Sequence, residues 1–111
     1  MASSHEAGSQ TTSGTTEHVL NTTDPDLTDG AFQLWVDLAT MTDDEVVTLR
    51  IYEKVENASG TQRLVWTASY KHTQAYPAVL SPPLILLFGW KMTLQKEAGS
   101  DTAFPWNIRL A

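Results

Sequence analysis

The chain has 111 residues with a formal charge of −6, four tryptophans and no cysteine. That length predicts one domain with a single core, the lack of cysteine excludes disulfides and thiolate chemistry, and the scattered basic residues disfavour nucleic-acid binding. No apolar run has the length of a signal peptide or a membrane span, so we expect a protein that is made in the cytoplasm and binds no membrane.

The N-terminal segment, residues 1–16, consists mostly of Ser, Thr, Gly, Ala, Gln and Glu. Such a segment buries too little apolar surface to offset the entropy lost when it becomes ordered. We interpret it as a flexible or extended N-terminal arm, which is either a floppy tail or a strand lying on a neighbouring molecule. Residues 17–111 are then the folded domain.

The domain is predicted to begin with a short strand at residues 17–22, followed by a turn at residues 24–30 that is rich in Asp, Pro and Gly. The three aspartates of this turn suggest calcium. An EF-type loop, however, needs a glycine at its sixth position, where this chain has Asp29. We therefore expect a turn that holds no metal.

Residues 31–38 are the clearest second strand because apolar and polar residues alternate along them. The apolar face consists of Phe32, Leu34, Val36 and Leu38. Trp35 interrupts the polar face of this strand. Either a second sheet covers its indole, or the indole is an exposed anchor for a partner.

A long hairpin is predicted around the turn at residues 56–60, with strands at residues 45–55 and 61–70. In the first of these strands one face is apolar, and Tyr52 lies on the opposite, polar face. The apolar residues of the two strands are Val47, Leu49, Ile51 and Val55, and Leu64, Trp66, Ala68 and Tyr70. A hairpin of this kind needs further strands to cover its apolar face.

The C-terminal third is predicted to supply those strands. Residues 84–88 fit either a strand buried on both faces or a short helix capped by Ser81, and we prefer the strand because the alternation continues beyond a kink at Gly89. Pro105 favours an edge strand, or one whose N–H side meets no neighbour. The predicted strands are residues 78–80, 84–88, 90–95 and 102–110, and the last of them has Phe104, Trp106, Ile108 and Leu110 on one face.

These segments add up to seven or eight antiparallel strands, with no helix and no internal repeat. The fold class is therefore all-β, and the architecture is a single β-sandwich, of which the jelly roll is one form.

Chemical motifs do not point to an enzyme. The three histidines, His5, His18 and His72, lie in the arm, the first strand and a loop, and no pair of them has the spacing of metal ligands. No phosphate-binding glycine loop or nucleophile elbow occurs. We expect no catalytic residue, no cofactor and no metal.

Several segments resemble small structural proteins of tailed bacteriophages. The resemblance covers residues 17–111 and is carried by EHVLNTT at 17–23, DGAFQLWVD at 29–37, SPPLILL at 81–87, GWKMTL at 89–94 and FPWNIR at 104–109. It implies a non-enzymatic component of the virion.

Three functions remain open. The first is a capsid decoration, or cement, protein that binds and stabilises the outer surface of the major capsid protein shell, with a trimer favoured. The second is a tail, neck or adaptor component, and the third is a carbohydrate-binding module in which Trp35, Trp90 or Trp106 stacks on sugars. The candidate partner-binding residues are Trp35, Tyr52 and Trp106, since buried aromatic residues dominate the energies of interfaces.

Overall fold

The computed structural model describes residues 3–55 and 60–110, and within these ranges it contains nine strands and no helix. The predicted turn at 56–60 lies outside the described residues except for Gly60. The strands are β1 (Ser3–Thr11), β2 (Glu17–Val19), β3 (Gly30–Asp37), β4 (Val46–Lys54), β5 (Gln62–Lys71), β6 (Ala78–Leu80), β7 (Leu84–Leu86), β8 (Trp90–Ala98) and β9 (Ala103–Leu110). Accordingly, this part of the chain has no helix long and apolar enough to cross a membrane.

The strands form two antiparallel sheets, which confirms the predicted β-sandwich. The first sheet has the order β1-β9-β3-β6, with β7 also paired to β3, and the second has the order β2-β8-β4-β5. Two consecutive prolines, which lack N–H groups, interrupt the chain between β6 and β7. Both short strands pair with β3, so together they take the place of one strand. Strands of the first half of the chain thus pair with strands of the second half: β1 with β9, β2 with β8, β3 with β6 and β7, and β4 with β5. This is the topology of a jelly roll of about eight strands.

The described part of the predicted arm is a strand of the domain itself. Ser3–Thr11 pairs antiparallel with β9 along its whole length, so the segment is extended, as expected, but lies on its own chain. Two features explain this outcome. Backbone hydrogen bonds to β9 do not require apolar side chains, and the His5 ring lies 5.2 Å from the Phe32 ring and 5.7 Å from the Trp90 ring.

The core lies between the two sheets and follows the predicted alternation. The four apolar residues predicted for one face of β3 are all buried, and Trp90 is fully buried with its ring centroid 4.5 Å from that of Phe32. Its indole Nε1 donates a hydrogen bond to the Thr28 carbonyl at 2.9 Å. The core residues are Leu20, Phe32, Leu34, Val36, Leu38, Met41, Val47, Leu49, Ile51, Val79, Leu86, Trp90, Met92, Leu94, Phe104 and Ile108.

The hairpin of β4 and β5 is present, but a bulge changes the faces near its tip. Ile51 lies opposite Trp66 and Tyr52 opposite Leu64, so Val65 is the extra residue of β5. Because a bulge interrupts the alternation of side chains, Leu64 and Val65 are both exposed. The prediction that Leu64 belongs to the buried face is therefore wrong. The same prediction is wrong for Val55, which follows the end of β4 and is exposed.

The structure distinguishes the alternatives predicted for the C-terminal strands. β9 lies between β1 and β3, so it is not an edge strand; its pairing with β3 ends at Trp106, so Pro105 has no partner on that side, which agrees with the second alternative. Residues 84–86 form a strand rather than a helix, yet Ile85 is 74 % exposed, so this strand is not buried on both faces. The kink at Gly89 is confirmed: its φ is +69°, a conformation that favours glycine.

Candidate functional site

The outer face of the first sheet exposes apolar side chains among polar ones around Trp35. Residues directly opposite each other on paired strands share a face, and Trp35 lies opposite both Leu80 and Asn107, while Ala31 lies opposite Ile85. Trp35 is 41 % exposed and Leu80 is 46 % exposed. We call this surface the Trp35 face, and it consists of Ala31, Gln33, Trp35, Leu80, Ile85, Asn107 and Arg109.

Arg109 orients the indole of Trp35. Its guanidinium carbon lies 4.3 Å from the centroid of the Trp35 ring, which is a cation–π contact. Beside the ring lies a shallow hollow of about 210 Å³ that is lined by Trp35, Asp37, Pro105, Trp106 and Asn107. The indole is thus held at the surface rather than folded into the core.

The outer face of the second sheet carries a network of polar groups. The Glu17 carboxylate accepts hydrogen bonds from the Tyr52 hydroxyl at 2.7 Å and from the Thr93 hydroxyl at 2.6 Å. Arg50 lies 3.8 Å from Glu17 and 3.7 Å from Glu97. The polar groups of this face therefore bind one another, and Arg50 contacts both carboxylates.

This network changes the acidity of two groups. Burial, together with the hydrogen bond to Glu17, raises the pKa of Tyr52 to about 12. Burial by itself would raise the pKa of Glu17, but the hydrogen bonds from Thr93 and Tyr52 and the positive charge of Arg50 lower it overall. The neutral phenol and the ionised carboxylate are therefore the stable pair.

The Tyr52 contact gives a testable pH dependence. Because the folded pKa lies above the unfolded value of 10, the stabilisation is fully present below pH 10 and is lost as the pH rises through about 12. We expect the tyrosinate absorbance of the native protein to show late ionisation from both Tyr52 and Tyr70, since burial also raises the pKa of Tyr70, and Tyr52→Phe to remove the part of it near pH 12. An unchanged titration curve in that variant would contradict the assignment.

The three predicted partner-binding residues do not form one surface. Trp35 is exposed on the Trp35 face. Trp106 lies opposite Val36 and Gly8, so it points to the inner side of the same sheet and packs against the core. Tyr52 lies on the outer face of the second sheet, within its polar network. Only Trp35 is placed as a partner-binding anchor would be.

Sequence reasoning missed the two apolar neighbours of Trp35. Leu80 and Ile85 belong to three-residue strands on either side of the double proline. Strands that short show no alternation from which a face can be assigned. The exposed side of each strand follows only from its pairing with β3.

A cluster of possible metal ligands lies where β1 meets the turn before β3. The His5 Nε2 atom is 2.8 Å from Asp26 Oδ2 and 3.8 Å from Glu6 Oε1, and the ligand atoms of all three residues lie within 4.8 Å of one another. Burial alone would raise the pKa of Asp26, but hydrogen bonds with His5, Thr28 and Asn21 lower it overall. The sequence predicts no metal site because His5 and Asp26 are distant in the chain and belong to different elements.

No known protein family, curated protein or solved structure matches this chain.

Proposed function

We propose that the protein is a non-enzymatic structural component of a bacteriophage virion. Its most specific form is a capsid decoration, or cement, protein that binds the outer surface of the major capsid protein shell and stabilises it. In this proposal the Trp35 face lies against the shell, and the polar face of the second sheet points to solvent.

The contrast between the two outer faces carries the proposal. On the second sheet Glu17 and Glu97 are paired with Arg50, and Val19, Leu64 and Val65 are exposed there as well. The Trp35 face differs in that it exposes an indole, that of Trp35, in addition to the aliphatic side chains of Leu80 and Ile85. Exposed apolar groups mark sites of protein association when they lie side by side, as Trp35 and Leu80 do on paired strands, and aromatic residues with Arg are enriched at such sites. The hollow beside Trp35 is shallow, and small ligands are usually enclosed by deeper pockets, so another folded protein is the better occupant.

The jelly roll and the sequence resemblance support the same direction. Viral capsid domains and lectins both use this fold, but a fold alone does not determine function. The resemblance of residues 17–111 to phage structural proteins therefore favours the virion, while the Trp35 face supplies the docking surface.

Size favours several weak contacts over one strong one. A standard interface buries roughly 800 Å² on each partner, and the chain has a total accessible surface of 5782 Å². A trimer can dock through three copies of the Trp35 face. Once the first copy has bound, binding of the other two is intramolecular, so the affinity of the trimer exceeds that of a single copy without any additional type of contact. We propose a homo-oligomer, with a trimer favoured, whose partner is the major capsid protein.

Carbohydrate binding is the second candidate, and the hollow beside Trp35 favours it. An exposed indole next to Asp37 and Asn107 offers a stacking surface and polar groups for a sugar ring. The structure corrects the other two tryptophans of that hypothesis: Trp90 is fully buried and Trp106 points inward. Sugar stacking would therefore rest on Trp35 alone.

Co-sedimentation tests the proposal. Purified protein is mixed with shells assembled from the major capsid protein of the same genome, and we expect saturable binding together with slower thermal disruption of the shells. Binding to isolated tails or necks but not to shells would assign the protein to the tail or neck. Binding to a glycan panel but not to shells would favour the carbohydrate-binding module.

A further inference from the structure

We propose that His5, Glu6 and Asp26 form a binding site for Zn²⁺ that fixes β1 to the turn preceding β3. The proposal is independent of the proposed function, because the site requires no partner and lies at the β1 edge of the first sheet, whereas β6 forms the other edge. It rests on a bulge, on pre-oriented ligand atoms and on two carboxylates that lie beside a single imidazole.

A bulge in β1 brings two of the ligands together. Ser4 lies opposite Arg109 and Glu6 lies opposite Ile108, so His5 is an extra residue with no partner in the register. Neighbouring side chains of a regular strand point to opposite faces. The bulge re-aims them, and as a result the His5 and Glu6 side chains both reach toward Asp26.

The distances are close to those of a coordination sphere. Zn²⁺ binds His nitrogen and carboxylate oxygen at about 2.0–2.2 Å, so two of its ligand atoms lie roughly 3–4 Å apart. Here His5 Nε2 lies 3.8 Å from Glu6 Oε1 and 2.8 Å from Asp26 Oδ2. The ion would replace the hydrogen bond between His5 and Asp26, and small rotations of the two carboxylates would complete the site.

Other groups hold each ligand in place, as is usual around metal sites. Glu6 uses its second oxygen, Oε2, to accept hydrogen bonds from Thr22 N at 2.8 Å and Thr22 Oγ1 at 2.7 Å, which leaves Oε1 facing His5. The side chain of Asn21 donates to Asp26 Oδ2 at 3.2 Å. The His5 ring is held between Asp26 and the aromatic rings of Phe32 and Trp90.

The charge of the cluster also favours a divalent cation. Both carboxylates are largely shielded from water, and among the residues described neither Glu6 nor Asp26 forms an ion pair with Lys or Arg. The cluster thus places two carboxylates beside a single imidazole. One nitrogen and two oxygen ligands suit Zn²⁺, whereas Ca²⁺ requires about six to eight oxygen ligands.

Calorimetric titration of the untagged, metal-stripped protein with ZnCl₂ tests the site. We expect saturable binding of one ion per chain and a melting temperature that rises with Zn²⁺ but not with Ca²⁺. Glu6→Gln, which keeps an oxygen for Thr22, and His5→Gln are each expected to weaken Zn²⁺ binding at least tenfold, since even outer-shell changes cost about 10–100-fold. Glu97→Gln, on the outer face of the second sheet, is the matched control and is expected to bind as the wild type does.

Co²⁺ gives a second readout that does not depend on stability. Bound to one imidazole and two carboxylates, it is expected to show visible absorption that Zn²⁺ abolishes by displacement and that both cluster variants lack. The absence of saturable Zn²⁺ binding, or equal affinity in Glu6→Gln and the wild type, would show that His5, Glu6 and Asp26 form only an internal hydrogen-bonded cluster and would overturn the proposal.

Discussion

Replacing Trp35 with alanine is expected to weaken binding to capsid shells about 30-fold or more while leaving the domain folded. Truncation of an interface hot spot costs roughly 2 kcal/mol or more, and about 1.4 kcal/mol corresponds to a factor of ten in affinity. In the free protein Trp35 is 41 % exposed and its ring contacts Arg109. The folded state therefore loses a cation–π contact, worth about 0.5–1 kcal/mol, and the packing of the covered part of the ring, which is less than a fully buried indole loses.

Two further variants make this result interpretable. Ile85→Ser changes a side chain that is 74 % exposed on the same face, so it should weaken shell binding with little effect on stability. Tyr52→Phe changes the other sheet and should leave shell binding unchanged. If Trp35→Ala instead unfolds the free domain, Trp35 belongs to the core; if Trp35→Ala binds shells normally, the Trp35 face is not the interface.

Trp90→Ala is expected to have the largest effect on stability, a loss of about 3–5 kcal/mol. The substitution leaves a cavity beside Phe32, whose ring centroid lies 4.5 Å from that of Trp90, and removes the donor to the Thr28 carbonyl. Because small domains have about 5–15 kcal/mol of stability in total, the variant should be marginal. Urea denaturation followed by circular dichroism measures the change.

The comparison of the two tryptophan variants separates binding from folding. Trp35→Ala should lower the urea midpoint clearly less than Trp90→Ala does, because the Trp35 ring is 41 % exposed and the Trp90 ring is fully buried. A loss below about 1 kcal/mol for Trp90→Ala would mean that this indole does not organise the core, since surface substitutions usually stay within about 0.5 kcal/mol.

Alternation along the chain was sufficient to predict most of the sandwich. β3, β4 and β8 each carry apolar residues at every second position, and the side chains predicted to be buried in β3 are buried. This works because one face of each sheet covers the core and successive side chains point to opposite faces. The predicted all-β fold class and the β-sandwich are accordingly confirmed.

Pairing between distant strands could not be predicted in the same way. β1 has too few apolar residues to be recognised by composition, and its order comes from backbone pairing with β9 and from His5. Pro105 was compatible with an edge strand or with an N–H side that meets no neighbour; β1 and β3 both pair with β9, but the pairing with β3 ends at Trp106, which agrees with the second alternative. Neither outcome has a local signal, because a strand's neighbours depend on register across the chain and leave no local pattern.

The candidate sites depend on the same long-range register. Leu80 and Ile85 join Trp35 only through the pairing of β6 and β7 with β3. His5 and Glu6 reach Asp26 only because of the bulge in β1. A shift of one residue in register reverses every side chain of a strand, so the sequence could propose Trp35 as an anchor but not the surface around it.

Electron cryo-microscopy of intact particles, with this structure fitted into the density, tests the central claim most directly. The account predicts copies of the domain on the outside of the shell, with the Trp35 face against the major capsid protein and the outer face of the second sheet toward solvent. The reverse orientation, with the Glu17 and Arg50 network against the shell, or density for the domain only at the tail or neck, would contradict it.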